Sequence, residues 1–227
     1  MIKAGNKTFK SQTTLTNFCK FILNNADLNK PLEGEWFSVM DDVLRMHDNY
    51  HGKIKGQQYS ICVRKSPINA RQRQFYILRE DGSDTDFSYY KAISNKPTSK
   101  IVRIKDTLKA AVKQQTIDYK DWYFEEHKIG KDFVLCEETG LKLKRKDSHI
   151  DHYPKQFDEI VEEWVKKYNV KSEDVELVDG GDNTTVCEMV DKELLESFVN
   201  YHKEQATYRI VLNKVNLQRK RPKKFTF

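Results

Sequence analysis

The segment His149-Ile150-Asp151-His152 combines side chains that could bind a metal ion and move a proton. A carboxylate supplies a hard oxygen ligand for a divalent ion, and a histidine titrates near neutral pH, with an unperturbed pKa of about 6.5. Asp151 could therefore hold an ion against a phosphate oxygen while His152 takes a proton from water. This chemistry is the hydrolysis of a phosphodiester, although the same pattern also occurs in ordinary polar loops.

The positions of these side chains depend on the local backbone. In a strand, successive side chains point to opposite faces, so His149 and Asp151 would share one face and His152 would lie on the other. The adjacent Asp151 and His152 could then serve different partners, a metal ion and a water molecule.

The composition describes a folded, highly charged protein with room for one large or two small domains. Its 227 residues are 38% hydrophobic and 33% charged, a balance typical of a folded chain rather than a disordered one. Forty Lys and Arg residues against 34 Asp and Glu residues give a net charge of +6. That excess is too small to establish nucleic-acid binding by itself.

The sequence contains no recognisable targeting or membrane segment. Its apolar runs fall well short of the roughly 18 residues that a membrane span needs, and the start of the chain is polar. Cys19, Cys62, Cys136 and Cys187 are far apart and form no Cys-x-x-Cys pair. We therefore expect buried free thiols and a cytoplasmic protein, in a bacterial or phage-infected cell.

The first hundred residues predict a small α+β domain. Apolar residues at helical spacing predict helices over about 13–26 and 37–50, and extended patterns predict strands over about 57–64 and 74–80. The polar, proline-containing segment 94–100 then separates two differently patterned regions. The fold class is therefore predicted to be α+β, with one domain over 1–97 and a second over 98–227.

The second domain predicts helices around a central hairpin. A helical pattern covers about 101–127, strands over 133–136 and 141–143 form a hairpin that leads to His149, and further helices cover about 157–168 and 191–207. From Lys214 to Lys224 the chain has six basic residues and no acidic one. Such a cluster commonly contacts phosphates, but a solvated basic tail would look the same.

Three stretches of this second domain together resemble an HNH endonuclease. They are Cys136-Glu137-Glu138-Thr139-Gly140, His149-Ile150-Asp151-His152-Tyr153-Pro154, and Arg209-Ile210-Val211-Leu212-Asn213-Lys214-Val215-Asn216-Leu217-Gln218-Arg219-Lys220. The resemblance implies a ββα-metal unit in which Asp151 and Asn216 bind one divalent ion, Mg²⁺ or Mn²⁺, and His152 is the general base. It also implies that residues 157–207 are a helical insertion.

Two positions depart from the pattern of that family. Asn213 competes with Asn216 for the third position of the motif, and Asn216 fits the family spacing better. The Cys-x-x-Cys pairs of zinc-binding members are replaced here, so no structural zinc is expected.

The first domain resembles the DCL (defective chloroplasts and leaves) domain over about 8–93. The resemblance rests on Phe9-Lys10-Ser11, on His47 with Gly52-Lys53 and Gly56, and on the long stretch from Phe75 to Lys91, which contains Asp81-Gly82-Ser83 and Asp86-Phe87-Ser88-Tyr89. It implies a domain that handles nucleic acid.

Taken together, the two resemblances imply metal-dependent cleavage of DNA, or of RNA. Lys214, Arg219, Lys220 and Arg221 would bind flanking phosphates, and His149 would orient or pack beside the site. The alternative is a non-catalytic nucleic-acid-binding or RNA-processing protein with a vestigial nuclease fold. A protein-binding structural component and a homodimer also remain open.

Overall fold

The computed structural model describes residues 1–67, 69–94, 96–184 and 186–218. Helices and strands are both abundant, and the strands form small separate sheets, so the α+β fold class predicted from the sequence is confirmed. The chain divides into two compact units, which are Met1–Thr98 with Asp179–Thr185, and Ser99–Val178 with the chain from Val186 onward. Across the described residues, every helix is too short or too polar to span a lipid bilayer.

The first unit packs helices on one antiparallel sheet. Its strands are β1 (Ile2–Ala4), β2 (Lys7–Phe9), β3 (Tyr59–Lys65), β4 (Arg73–Arg79) and β5 (Asp84–Phe87), and its helices are α1 (Gln12–Asn25), α2 (Gly34–Arg45), α3 (Tyr50–Ile54) and α4 (Tyr89–Ser94). Strands β3, β4 and β5 form a three-stranded sheet in that order, and β1 pairs with β2.

The core of the first unit joins α1 and α2 to the central strands. Leu15 and Ile22 of α1, Val39 of α2, and Ile61 and Ile77 of the sheet are fully buried in one apolar cluster. Helix α1 begins at a capping box, in which Ser11 and Thr14 exchange side-chain and backbone hydrogen bonds. Burial of these apolar faces is the main source of stability for the unit.

The predicted helix over 37–50 is wrong in its second half. Helix α2 ends at Arg45, and a separate short helix begins at Tyr50. Between them, the backbone N–H of Asn49 donates to Nδ1 of His47 at 3.1 Å. Local side-chain to backbone bonds of this kind compete with helix continuation.

The second unit combines helices with three two-stranded antiparallel sheets. Its elements are α5 (Lys100–Ala111), α6 (Lys113–Glu126), β6 (Phe133–Leu135), β7 (Lys142–Lys144), a 3-10 turn (Arg145–Asp147), β8 (Ser148–His152), α7 (Phe157–Tyr168), β9 (Leu177–Val178), β10 (Glu188–Met189), α8 (Lys192–Gln205), β11 (Tyr208–Leu212) and α9 (Asn213–Gln218). The sheets are β6 with β7, β8 with β11, and β9 with β10.

The predicted continuous helix over 101–127 is wrong, because the chain turns at Val112. The φ and ψ angles of Val112 are −98° and 4°, outside the helical region, and its side chain is buried. Helix α5 buries Leu108 against α7 and α8, whereas α6 buries Phe124 in a second core that contains β6 and β11. Each of the two helices therefore packs on its own core.

The predicted hairpin over 133–143 exists as β6 and β7, but it does not pair with the strand that carries Asp151. Strand β8 pairs with β11, which lies far downstream in the sequence. The 3-10 turn after β7 redirects the chain, and Ser148 Oγ donates to the carbonyl oxygen of Arg145 at 2.8 Å to close it.

All four cysteines are buried free thiols, as predicted.

Candidate active site

Two paired strands and the helix that follows them bring His149 and Asn216, two of the predicted site residues, together. In the antiparallel register of β8 and β11, Asp151 faces Arg209 and His149 faces Val211. Helix α9 begins immediately after β11, and Asn216 Nδ2 in that helix lies 3.4 Å from His149 Nδ1. Residues 67 positions apart in sequence therefore meet at one edge of this small sheet.

The carboxylate of Asp151 is held by an arginine from the opposite strand. Arg209 Nε donates to Asp151 Oδ2 at 2.9 Å, and the same guanidinium donates to Glu138 Oε2 at 3.1 Å. The guanidinium also stacks on the ring of Tyr153, 3.7 Å from its centroid. A buried carboxylate needs such a partner, because removing an unpaired charge from water is costly.

His152 is bonded to a second histidine from the helical segment between the two strands. Its Nε2 lies 3.0 Å from Nε2 of His202, and the ring edges contact Phe157 and Tyr208. Burial lowers the pKa of His152 to about 4, against a smaller opposing effect of Asp151, and burial lowers the pKa of His202 to about 4 as well. Both imidazoles are therefore neutral at pH 7.

His149 contacts Asn216, the asparagine that fits the motif spacing better than Asn213 does. Because the amide nitrogen of Asn216 donates to His149, the bond does not use the amide oxygen, which is the atom that a hard cation prefers. Burial and the nearby ammonium group of Lys120 lower the pKa of His149, so this ring also favours its neutral form.

The other predicted residues lie apart from this contact or outside the described chain. Asn213 is the first residue of α9, and its Nδ2 donates to the backbone carbonyl of Lys146 at 3.4 Å, a structural role. Lys214 is exposed on the same helix. Arg219, Lys220 and Arg221 lie outside the described residues, so their predicted contact with phosphates stays a prediction.

A cavity of about 670 Å³ opens beside the site. Its walls come from α5, the start of α6, β8, the start of α7 and α9. The lining residues are Lys105, Lys109, Val112, Lys113, Thr116, Ile150, Asp151, His152, Gln156, Phe157, Asp158 and Asn216. The predicted metal ligands and the predicted base thus line the same cavity.

Three lysines on one wall of this cavity were missed by sequence reasoning. Lys105 and Lys109 lie four residues apart on one side of α5, and Lys113 is the first residue of α6, after the break at Val112. Lys105 forms an ion pair with Asp158 at 2.8 Å, Lys109 lies 5.6 Å above the ring of Phe157, and Lys113 is exposed. The spacing of the lysines is visible in the sequence, but the opposite wall of the cavity comes from residues that are distant in the chain.

Among the side chains that line the cavity, Asp151 and Asn216 carry oxygen atoms of the kind that a hard divalent ion prefers. Within the described part of the chain, His, Cys, Asp and Glu form no group of three or more that could hold a metal. Mg²⁺ commonly uses one or two protein oxygen ligands and completes its shell with water and substrate phosphates. Asp151 and the amide oxygen of Asn216 would supply such a sparse set.

Comparison with known proteins gives matches without a known function. Residues 20–93, in the first unit, match a family model described as a protein of unknown function (DUF3223). The solution NMR structure of an uncharacterized protein from Rhodospirillum rubrum is 25% identical over 40% of this chain and 86% of its own, with a TM-score of 0.37, at which the likeness carries no functional argument. No curated protein matches the sequence.

These comparisons correct both resemblances drawn from the sequence. Neither an HNH nor a DCL family model matches the chain, and the matched family covers less than half of it. Short motifs such as Asp-His with a distant asparagine occur in unrelated proteins, so they do not identify a family on their own. What the chain is similar to, over residues 20–93, is the DUF3223 family.

Proposed function

We propose that the second unit is a metal-dependent phosphodiesterase that cleaves DNA. One observation carries the proposal, namely that Asp151, His152, Asn216 and a row of lysines line one cavity of about 670 Å³. A phosphodiester substrate is anionic, and the hydrolysis of its backbone needs a proton acceptor, a site for a divalent ion and cations that bind flanking phosphates. The same cavity contains candidates for all three.

His152 is the candidate proton acceptor. A water O–H would give its proton to the neutral imidazole as the water oxygen attacks phosphorus and the bond from phosphorus to the leaving oxygen breaks. A pKa of about 4 makes the free imidazole a weak base. A bound phosphate anion in the cavity would raise the pKa of His152, and a divalent ion at Asp151 would lower it, because the two charges act on the imidazolium in opposite directions.

Asp151 and Asn216 are the candidate ligands of the divalent ion. When bound, such an ion would polarise the phosphate and offset charge on the leaving oxygen. The ion pair with Arg209 fixes the carboxylate of Asp151, and the bond to His149 orients the amide of Asn216.

The lysines are candidate phosphate-binding groups. Lys109 and Lys113 are exposed at the cavity wall, and each ammonium could bind a backbone phosphate without reading the bases. Sequence-independent binding with strong salt dependence is therefore expected.

A nuclease assay with a matched histidine control tests the proposal. Supercoiled plasmid, linear duplex, single-stranded DNA and RNA are each incubated with Mg²⁺, Mn²⁺ or EDTA. We expect cleavage of DNA with metal and none with EDTA, and a loss of at least about 100-fold in rate for His152→Ala. His127→Ala removes an exposed histidine of the same unit that does not line the cavity, and it should cleave like wild type.

Equal activity of wild type and His152→Ala on all substrates and with both metals would overturn the proposal. Titration of Mn²⁺ by calorimetry into wild type and Asp151→Asn gives an independent readout. Wild type should bind one ion, and the variant should bind it at least about tenfold more weakly.

A second candidate function is nucleic-acid binding without catalysis. The bonds from Asp151 to Arg209 and from His152 to His202 favour it, because both side chains already have protein partners. This reading predicts salt-dependent binding of DNA or RNA that is unchanged by EDTA or by His152→Ala, and no cleavage by any variant.

A further inference from the structure

The hydrogen bonds of His152 extend to a third side chain. His202 Nδ1 lies 2.7 Å from Gln115 Oε1, and Gln115 Nε2 donates to the backbone carbonyl of Val199 at 3.0 Å. The bond to Val199 fixes the amide, because only its nitrogen can donate to a carbonyl. The oxygen of Gln115 is therefore the atom that faces His202.

This arrangement determines the proton positions on both rings. An amide oxygen only accepts, so His202 Nδ1 must carry the proton that bonds to Gln115. A neutral His202 then has a lone pair on Nε2, and the 3.0 Å contact requires His152 Nε2 to be the donor. The remaining ring nitrogen of His152, Nδ1, has the lone pair.

Apolar surroundings protect this chain of bonds. The ring of His202 is fully buried, and it packs against the rings of Phe157, Phe198 and Tyr208. Water is excluded from the ring of His202, so bonds to Gln115 and His152 decide which of its nitrogens carries the proton.

We propose that Gln115 and His202 are positioning residues that hold His152 in the tautomer with the proton on Nε2, so that Nδ1 is the nitrogen that accepts the proton of the attacking water. This inference rests on the proposed function for the identity of the proton donor. The tautomers themselves follow from the contacts and can be measured without activity. A histidine held in one tautomer by a second group loses catalytic power when that group is changed, while its substrate affinity is kept.

Nitrogen-15 NMR of histidine-labelled full-length protein tests the tautomers directly. Long-range proton–nitrogen spectra distinguish a protonated ring nitrogen from one with a lone pair, and His152→Gln and His202→Gln identify the two sets of signals. We expect protonated Nε2 on His152 and protonated Nδ1 on His202 in wild type. A wild-type protein with protonated Nδ1 on His152 would overturn the inference.

Two pairs of variants test the role of these residues in turnover. Gln115→Met keeps the side-chain length but removes the acceptor, and we expect mixed tautomers of His152 and a fall in kcat of about tenfold to 100-fold with KM unchanged. Gln205→Met is the matched control, since Gln205 accepts from Lys155 at 3.3 Å and contacts neither histidine in the described hydrogen bonds. It should keep both the tautomers and kcat of wild type.

Substitution at His202 supplies a rescue. The amide oxygen of His202→Gln reaches about the position of the ring Nε2 and can still accept from His152, whereas His202→Leu cannot. We expect His202→Gln to retain more activity than His202→Leu, and equal kcat values for the two would overturn the inference. A wild type with the expected tautomers that cleaves no nucleic acid would support the hydrogen-bond chain and contradict the proposed function.

Discussion

Asp151 and Arg209 occupy facing positions on β8 and β11, and Arg209 Nε lies 2.9 Å from Asp151 Oδ2. The exposed fractions of the two side chains are only 5% and 15%. At such burial the desolvation of both ions is costly, and their close pairing offsets that cost. Arg209 therefore both fixes the predicted metal ligand and makes its burial possible.

Removal of Arg209 should destabilise the second unit strongly. Arg209→Met leaves the buried carboxylate of Asp151 without the guanidinium, at a cost of about 3 to 5 kcal/mol in the free energy of unfolding. Urea unfolding followed by the fluorescence of buried Trp164, with Trp36 and Trp122 replaced by phenylalanine, measures that free energy. Lys192→Ala, which breaks an exposed pair with Glu188, should change it by less than about 1 kcal/mol. Equal effects of both substitutions would contradict this account.

The stability of the second unit should fall as the pH is lowered from about 6.5. Burial lowers the pKa of His202 from 6.5 to about 4. Between these two pH values the unfolded chain binds a proton at His202 and the folded chain does not. The free energy of unfolding is therefore unaffected by His202 above pH 6.5. It falls as the pH is lowered from 6.5 to 4, by on the order of 3 kcal/mol in total. Urea unfolding at pH 7.5, 6.0 and 5.0 measures this slope.

A matched pair of variants assigns that pH dependence. His202→Leu should reduce the slope between pH 7.5 and 5.0 by about half, because His152, whose pKa burial also lowers to about 4, still contributes to it. His127→Leu removes an exposed histidine and should leave the slope unchanged. A slope in His202→Leu as steep as that of wild type would contradict a contribution of His202.

Local patterns predicted most elements of this chain, because helix and strand periodicity reflects which side chains are buried. Helix α1 and the strands β3 and β4 were predicted within a few residues of their observed bounds. The break at Val112 was not predictable, since it depends on two cores that form only in the folded unit.

The candidate site was predictable in part for the same reason. The residue types of Asp151, His152 and Asn216 indicated their chemistry, but a bond such as that between His152 and His202 joins residues 50 positions apart. Periodicity carries no information about such long-range partners. The roles of Gln115 and Lys109 therefore became apparent only from the packing of α5, α6 and α8.

The cavity lysines should determine how tightly the protein binds DNA more than which DNA sequence it binds. Lys109→Ala and Lys113→Ala each remove one cation from the cavity wall. The salt slope, the dependence of the logarithm of the binding constant on the logarithm of the salt concentration, should decrease in magnitude by about 1 for each lysine that contacts one phosphate. Fluorescence anisotropy with labelled duplexes of different sequence, at several salt concentrations, measures the slope.

The control for this measurement is Lys203→Ala. Lys109 and Lys203 both lie in the last turn of their helices and both are exposed, but only Lys109 lines the cavity. Any effect through the helix dipole is thus shared by the two variants. A salt slope that falls equally in both would show that the cavity lysines have no special part in binding.

In the first unit, Asp182 should be essential for stability because it neutralises a fully buried arginine. Both terminal nitrogens of Arg79 donate to the carboxylate of Asp182, at 3.0 and 2.6 Å, and the arginine side chain has no exposed surface. Asp182→Ala would leave that charge unpaired, at a cost of about 3 to 5 kcal/mol. Hydrogen exchange of the β3 and β4 amides measures the loss, and Asp27→Asn, in an exposed pair with Lys30, is the control.

The same ion pair predicts an acid-sensitive first unit. Hydrogen bonding to Arg79 lowers the pKa of Asp182, so its stabilising contribution is present above the ordinary pKa of a carboxyl group and is lost as the pH falls through the lowered value. Asp182→Asn, which keeps the shape but cannot ionise, should be less stable than wild type at neutral pH and should approach it in strong acid. Amide hydrogen exchange in β3 and β4 is compared between wild type and Asp182→Asn. A ratio of the two rates that stays the same at every pH would contradict this role of the carboxylate.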